Sequence, residues 1–227
     1  MRRPTTSRVP RLSELGQNRE AALRLTPVSA ATVARLDRFV ERLLIWQSRI
    51  NLVAPSTLPE LWTRHVADSL QLVPLAGGAR TWVDLGSGGG FPGLVIACWL
   101  ADQPGGLMYL IESNGKKAAF LRETARDLGL GVKVHHARIA DCAAELAGTV
   151  EIVTARALAP LSELMGLAEP FLKKGAQGLF PKGQDVGSEL TETSKYWRLD
   201  ASLEPSRTDP RGRIVVVRSA ERRPSVL

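Results

Sequence analysis

The sequence predicts an α/β fold, a doubly wound and mostly parallel sheet carrying an all-helical N-terminal appendage. Three observations support this. Before residue 77 the apolar residues recur at helical spacing. After residue 80 short apolar runs alternate with helical stretches, and the first of those runs ends in a cluster of glycines. Strand alternating with helix is the pattern of a parallel sheet whose crossovers cover both faces.

Within residues 29–47, Val33, Leu36, Phe39, Val40, Leu43, Leu44 and Trp46 fall on one helical face, and Ser29 is placed to cap it. A second helical stretch follows Ser56 through Leu58, Leu61, Trp62, Val66 and Leu70, and closes at Pro74 and the Gly77-Gly78 pair. Strands are predicted over 81–85, 107–112, 132–136, 151–155, 178–181 and 213–218, and helices near 92–102, 115–129, 160–173 and 185–195. The chain then divides into a basic, disordered tail (1–12), a helical appendage (13–77) and a sheet domain (78–227).

Composition excludes several classes. Of 227 residues, 44% are hydrophobic and 23% charged, as in globular domains and unlike disordered, fibrous or membrane-embedded chains. The longest mostly apolar stretch, 91–101, is about half a bilayer span. Cys98 and Cys142 are too few for a disulfide scaffold or a zinc site and fit a reducing, cytoplasmic compartment. No apolar segment follows the basic first eleven residues, which argues against a secretory leader.

The net charge is +7, unevenly placed. Residues 1–50 hold ten Arg against four acids, and residues 205–227 six Arg against two. The intervening segment is mildly acidic, with 14 basic residues against 17 acidic. Basic ends suit a polyanionic partner such as nucleic acid, or else a solvated arm.

The strongest local signal is Asp84-Leu85-Gly86-Ser87-Gly88-Gly89-Gly90-Phe91-Pro92-Gly93. A strand ends, four glycines fall within five residues, and a helix begins near Pro92, so a ligand can approach bare backbone. Gly88 to Gly93 satisfies the G-x-G-x-x-G dinucleotide fingerprint, which alone is weak. Asp84 points instead to a cationic ligand, and Asp84-x-Gly86-x-Gly88-x-Gly90 fits the D/E-x-G-x-G-x-G pattern of Class I S-adenosylmethionine methyltransferases. Glu112, closing the next strand, is placed either to hold both ribose hydroxyls or to cap the following helix. The segment from His136 to Asp141 follows the third strand, where a loop can cover an adenine; Asp141 can equally cap the next helix.

These motifs, together with Asn51-Leu52, Arg64-His65-x-x-Asp68-Ser69, Glu112-Ser113, Lys116-Lys117, Phe120-Leu121, Arg156-Ala157 and Lys182-Gly183, resemble the bacterial 16S ribosomal RNA guanine-N7 methyltransferase G family, also called the glucose-inhibited division protein B family. The resemblance runs from about residue 33 to 218. It implies a Rossmann-like, seven-stranded sheet, S-adenosyl-L-methionine as cofactor, and transfer of its methyl group to guanine N7 in 16S rRNA. The substrate would be naked RNA, the 30S subunit or an assembly intermediate, and the protein a cytoplasmic monomer. Gly86, Phe91, Ile139, Ala140 and Arg156 would hold the cofactor, with Asp84, Gly88 and Glu112 fitting the logic of the fold. Many relatives carry an acid where this chain has Ala140, so only backbone contact to the adenine survives there.

Methyl transfer to a ring nitrogen is an in-line displacement governed by positioning and electrostatics. Guanine N7 already presents a lone pair and needs no base. The sequence lacks the N/D-P-P-Y motif of exocyclic-amine methylation and a cysteine nucleophile setting. Arg156, at the mouth of the site, can reach the methionine carboxylate, guanine O6 or an RNA phosphate; Lys182 can bind phosphate or O6, or be solvated. His65 and Asp68 share a helix face, either as a catalytic pair or as a structural bond between appendage and sheet. No spacing suggests a metal.

Overall fold

The computed structural model describes residues 9–224, so the tail's first eight residues lie outside it. The chain opens with α1 (Gly16–Leu25) and α2 (Ala30–Gln47). Ser29 caps α2 as its sequence position predicts, accepting from the Thr32 N–H at 3.0 Å. The helical stretch expected after Ser56 is broken into a 3-10 turn (Pro55–Glu60), a π turn (Trp62–Ala67) and the short α3 (Asp68–Leu70). Pro59, which lacks an N–H and crowds the turn before it, is the physical reason that the first of these is not α-helical.

Strand and helix then alternate: β1 (Thr81–Leu85), α4 (Gly93–Leu100), β2 (Leu107–Ile111), α5 (Gly115–Asp127), β3 (Val132–His135), α6 (Ile139–Leu146), β4 (Ile152–Thr154), α7 (Leu161–Leu172), β5 (Gln177–Lys182) and α8 (Val186–Ser194). The chain ends in a hairpin of β6 (Trp197–Pro205) and β7 (Arg213–Arg222). The seven-stranded sheet has the order β3-β2-β1-β4-β5-β7-β6. Strands β1 to β5 pair in parallel, and β7 runs antiparallel between β5 and β6. This is the predicted doubly wound class. The strand β6 and the helical turns over residues 12–25 are additions to the sequence reading. Helix α6 begins at Ile139, so Asp141 lies in its first turn and not at its cap.

Alternation along β1 sends Trp82 to one face and Val83 and Leu85 to the other. The first face carries α4, α5 and all the N-terminal helices in one continuous apolar cluster; α6, α7 and α8 cover the second. Phe39 of α2 packs edge-on against Phe91 at 5.3 Å and lies 6.5 Å from Phe120. Ion pairs reinforce the seam: Arg35 with Asp102 at 2.7 Å, and Arg42 with Glu123 and Asp127. Cys98 and Cys142 are both buried and free.

Because Phe39 is fully buried where α2 meets the sheet's helices, Phe39→Ala is expected to cost ~3–5 kcal/mol. Urea unfolding followed by tryptophan fluorescence and by circular dichroism should give one coincident transition, since helices and sheet share that core.

Candidate active site

Strand order reverses between β1 and β4, the point where open parallel sheets bind ligands. The residues singled out from the sequence lie at the carboxyl ends of the strands around it. Asp84, Gly86, Gly88 and Phe91 are at or after β1, Glu112 follows β2, Ile139 and Ala140 follow β3, Arg156 follows β4, and Lys182 ends β5.

Asp84 is turned inward. It is wholly buried, with Oδ2 accepting from the Gly93 N–H and Oδ1 from the Thr154 hydroxyl, each at 3.1 Å. One carboxyl thereby fastens the start of α4 and the end of β4 beneath the glycine loop. Burial pushes its pKa up to about 7, against the hydrogen bonds from Thr154 and Gly93.

Glu112 holds the loop from the β2 side. Its Oε2 accepts from the Gly88 N–H at 2.8 Å and its Oε1 from the Asn114 N–H at 2.7 Å. The cap of α5 is Asn114, whose side chain accepts from the Lys116 and Lys117 N–H groups, so Glu112 is free of that task. Each Glu112 oxygen retains a further lone pair.

Gly86 has φ +67°, and a Cβ there would sit 2.6 Å from Leu158 Cδ1. It opens onto a cavity of about 750 Å³ whose lining includes Ile111, Ser113, His136, Ile139 and Ala140. The Phe91 side chain turns the other way, towards Phe39 and His65. At Gly89 any Cβ would come within 2.8 Å of the Leu52 carbonyl oxygen, so the N-terminal segment presses directly on the loop.

A second hollow of about 670 Å³ lies on the other side of the β4 end, with Arg64, Asp68, Arg156, Lys182, Thr208 and Arg213 among its walls. Arg156 lines this cleft while Leu158 lines the first cavity, and between them Ala157 takes φ +52°. A left-handed alanine is strained by about 1–3 kcal/mol, and such strain clusters at functional sites.

The Arg156 guanidinium lies 5.2 Å above the Phe91 ring. Its Nη1 donates to the Arg64 carbonyl at 3.0 Å and reaches Asp68 Oδ2 at 3.4 Å; its Nη2 meets His65 Nδ1 at 2.5 Å. His65 and Asp68 are thus not a catalytic pair, because both converge on Arg156. Burial, then the nearby Arg156 and Arg64, pushes the His65 pKa down to about 3. Asp68 Oδ1 accepts from Gln71 Nε2 and from the Thr208 hydroxyl, each at 2.8 Å. Lys182 is not solvated: its Nζ donates to the Ala159 carbonyl at 2.9 Å and to Glu189 Oε2 at 2.7 Å, bracing the loop after β4. Thr57, Gln71, Glu189 and Thr208 escape a reading of the sequence, since their partners come together only in the fold. Among the described residues no cluster of His, Cys, Asp or Glu could hold a metal ion.

The two buried titrations have opposite signs. The raised Asp84 pKa contributes stability that is present below about pH 4 and lost as pH rises through about 7. The lowered His65 pKa costs stability as pH falls from 6.5 towards 3. In Asp84→Asn the amide can accept from Gly93 and donate to Thr154, whose hydroxyl also lies 3.2 Å from the Val83 carbonyl. Relative to the parent, the variant's urea midpoint should therefore rise as pH goes from about 4 to about 7, the His65 contribution being common to both.

Residues 32–208 match the family model described as rRNA small subunit methyltransferase G, GidB. The ribosomal RNA small subunit methyltransferase G of Bradyrhizobium sp. (strain ORS 278) is 56% identical over 221 residues, covering 97% of this chain and 99% of its own. That of Rhodopseudomonas palustris (strain BisB18) is 55% identical, covering 92% and 89%. Among solved structures, the O-methyltransferase from Bacillus cereus in complex with SAH superposes with a TM-score of 0.57 at 14% identity, covering 92% of this chain and 100% of that one. Cofactor-bound Rv0187 from MTB also gives 0.57, at 17% identity over 93% and 99%. These two show the fold alone. The motif resemblance is borne out by sequence: this chain belongs to the rRNA small subunit methyltransferase G (GidB) family.

Proposed function

We infer that this chain is an S-adenosylmethionine-dependent methyltransferase of small-subunit rRNA, and that its acceptor is N7 of a guanine in 16S rRNA. The observation that carries this reading is the pair of hollows meeting at residues 156–158. One hollow suits a nucleoside cofactor and the other a polar acceptor.

The residues of the first cavity fit S-adenosylmethionine. Gly86 leaves room that a Cβ would fill, and Ile111, Ile139 and Ala140 offer apolar walls and backbone groups for an adenine. Glu112 keeps lone pairs for ribose hydroxyls, and its charge suits a cationic ligand. Gly88 acts through its N–H on Glu112, while Asp84 and Phe91 support the loop from behind. When bound, the cofactor supplies an electrophilic methyl group on a sulfonium. In the cleft, Arg156 directs its remaining N–H donors at guanine O6 or an RNA phosphate, and Lys182 keeps one N–H for the same ligand. No side chain has to take a proton, because N7 attacks through an existing lone pair.

We read residues 13–77 as a helical segment that completes the site and 78–227 as the methyltransferase domain. The protein acts as a cytoplasmic monomer on 16S rRNA, in a 30S particle or an assembly intermediate. Among the described residues, no helix is long and apolar enough to cross a membrane.

The decisive experiment maps N7-methylguanine by borohydride–aniline cleavage in 16S rRNA from a strain lacking this gene, before and after incubation with protein and cofactor. A new cleavage at one guanine is expected; none would overturn the reading. Gly86→Asp should abolish S-adenosylhomocysteine binding in calorimetry, by filling the cavity beside Leu158. Lys182→Ala should leave that binding unchanged and slow methylation by about tenfold, roughly the loss of one charge-assisted hydrogen bond.

A further inference from the structure

We propose that His65 is a positioning residue for methyl transfer, holding the Arg156 guanidinium in the acceptor cleft through the lone pair on its Nδ1. The proposal rests on the reading of that cleft as the acceptor site.

The hydrogen-bond directions leave one assignment. A guanidinium can only donate, so at 2.5 Å from Arg156 Nη2 the His65 Nδ1 must be the acceptor. The imidazole is then neutral with its proton on Nε2, which lies 2.8 Å from the Thr57 hydroxyl. Thr57 accepts there and passes its own hydrogen to the Ala54 carbonyl at 2.8 Å. Every donor in the chain Arg156, His65, Thr57, Ala54 points the same way. The other face of His65 lies 4.9 Å from the Phe91 ring, the ring that also carries Arg156.

Three consecutive contacts from one short segment therefore grip Arg156: the Arg64 carbonyl, His65 Nδ1 and Asp68 Oδ2. The π turn over Trp62–Ala67 supplies the first two, and such turns occur often at functional sites. Arg156 has five N–H donors. Two on Nη1 serve Arg64 and Asp68, and one on Nη2 serves His65. The Nε–H and the second Nη2–H make no hydrogen bond among the described residues, and Arg156 lines the cleft. His65 thus fixes which edge of the guanidinium is left for the incoming guanine or phosphate. His65 also borders the cleft, but both its ring nitrogens are engaged, Nδ1 by Arg156 and Nε2 by Thr57, so it acts through Arg156 and takes no proton.

The test is a double-mutant cycle read by kcat and KM in the 16S rRNA methylation assay. His65→Phe keeps a ring against Phe91 and removes the acceptor. Its kcat should fall on the order of 10- to 100-fold, the scale of a misaligned site, with S-adenosylhomocysteine affinity within about threefold of the parent. In an Arg156→Ala background the same change should cost nothing further in kcat. Independent losses in the two variants would overturn the proposal while leaving the functional reading intact. An inactive parent protein would overturn that reading and the proposal with it. Should His65→Phe not fold, nitrogen-15 NMR of the parent decides. The chain has three histidines, so the His65 signals are assignable, and a bare Nδ1 with protonated Nε2 is expected at pH 7. A proton on Nδ1 would overturn the proposal.

Discussion

One buried carboxyl group ties this architecture together. Asp84 sits at the strand-order reversal and bonds to the first residue of α4 and to the last residue of β4. Those two elements begin and end the segments that face each other across the site. A buried acid is costly unless its oxygens are satisfied, and here the satisfaction is itself the structural joint. Glu112 repeats the device one strand away by gripping the Gly88 amide. The glycine loop is thus held from below and from the side, with Gly86 opening onto the cavity.

Much of this was legible in the sequence because it is local. The helix of residues 30–47, the strand–turn–helix around Gly86 and the acid closing β2 are all carried by neighbours within a few residues. The family was legible because its motifs span most of the chain. The orientation of side chains was not. Asp84 reads as a ligand contact in one dimension, but the Gly93 amide turns it inward. Phe91 follows the loop yet faces the helices. The strand β6 is a half-exposed edge with a bulge between Asp200 and Ala201, which interrupts the alternation that would have announced it. The contacts of Asp68 with Thr208 and of Gln71 with Arg207 join residues more than a hundred positions apart, and no local pattern encodes them.

The charge reading also changed in three dimensions. Part of the N-terminal surplus of arginine is neutralised within the fold: Arg35 pairs with Asp102, and Arg42 with Glu123 and Asp127, while Arg19 pairs with Asp37 of its own stretch. The cations that line the cleft beside Arg156, namely Arg64, Arg156 itself, Lys182, Arg211 and Arg213, come from four separate stretches of chain. The helical segment before the sheet supplies the three groups that bond to Arg156, the Arg64 carbonyl, His65 Nδ1 and Asp68 Oδ2.

The reversed strand β7 has a consequence for how the protein comes into being. Running antiparallel to β5, it sets Arg213 beside Lys182 and carries the 206–212 turn to the same end of the sheet as the glycine loop. That turn bonds to Gln71 and Asp68, far earlier in the chain. The cleft beside Arg156 therefore closes only when residues 68–71 meet residues 207–208, contacts of high sequence separation whose loop-closure entropy makes them slow to form.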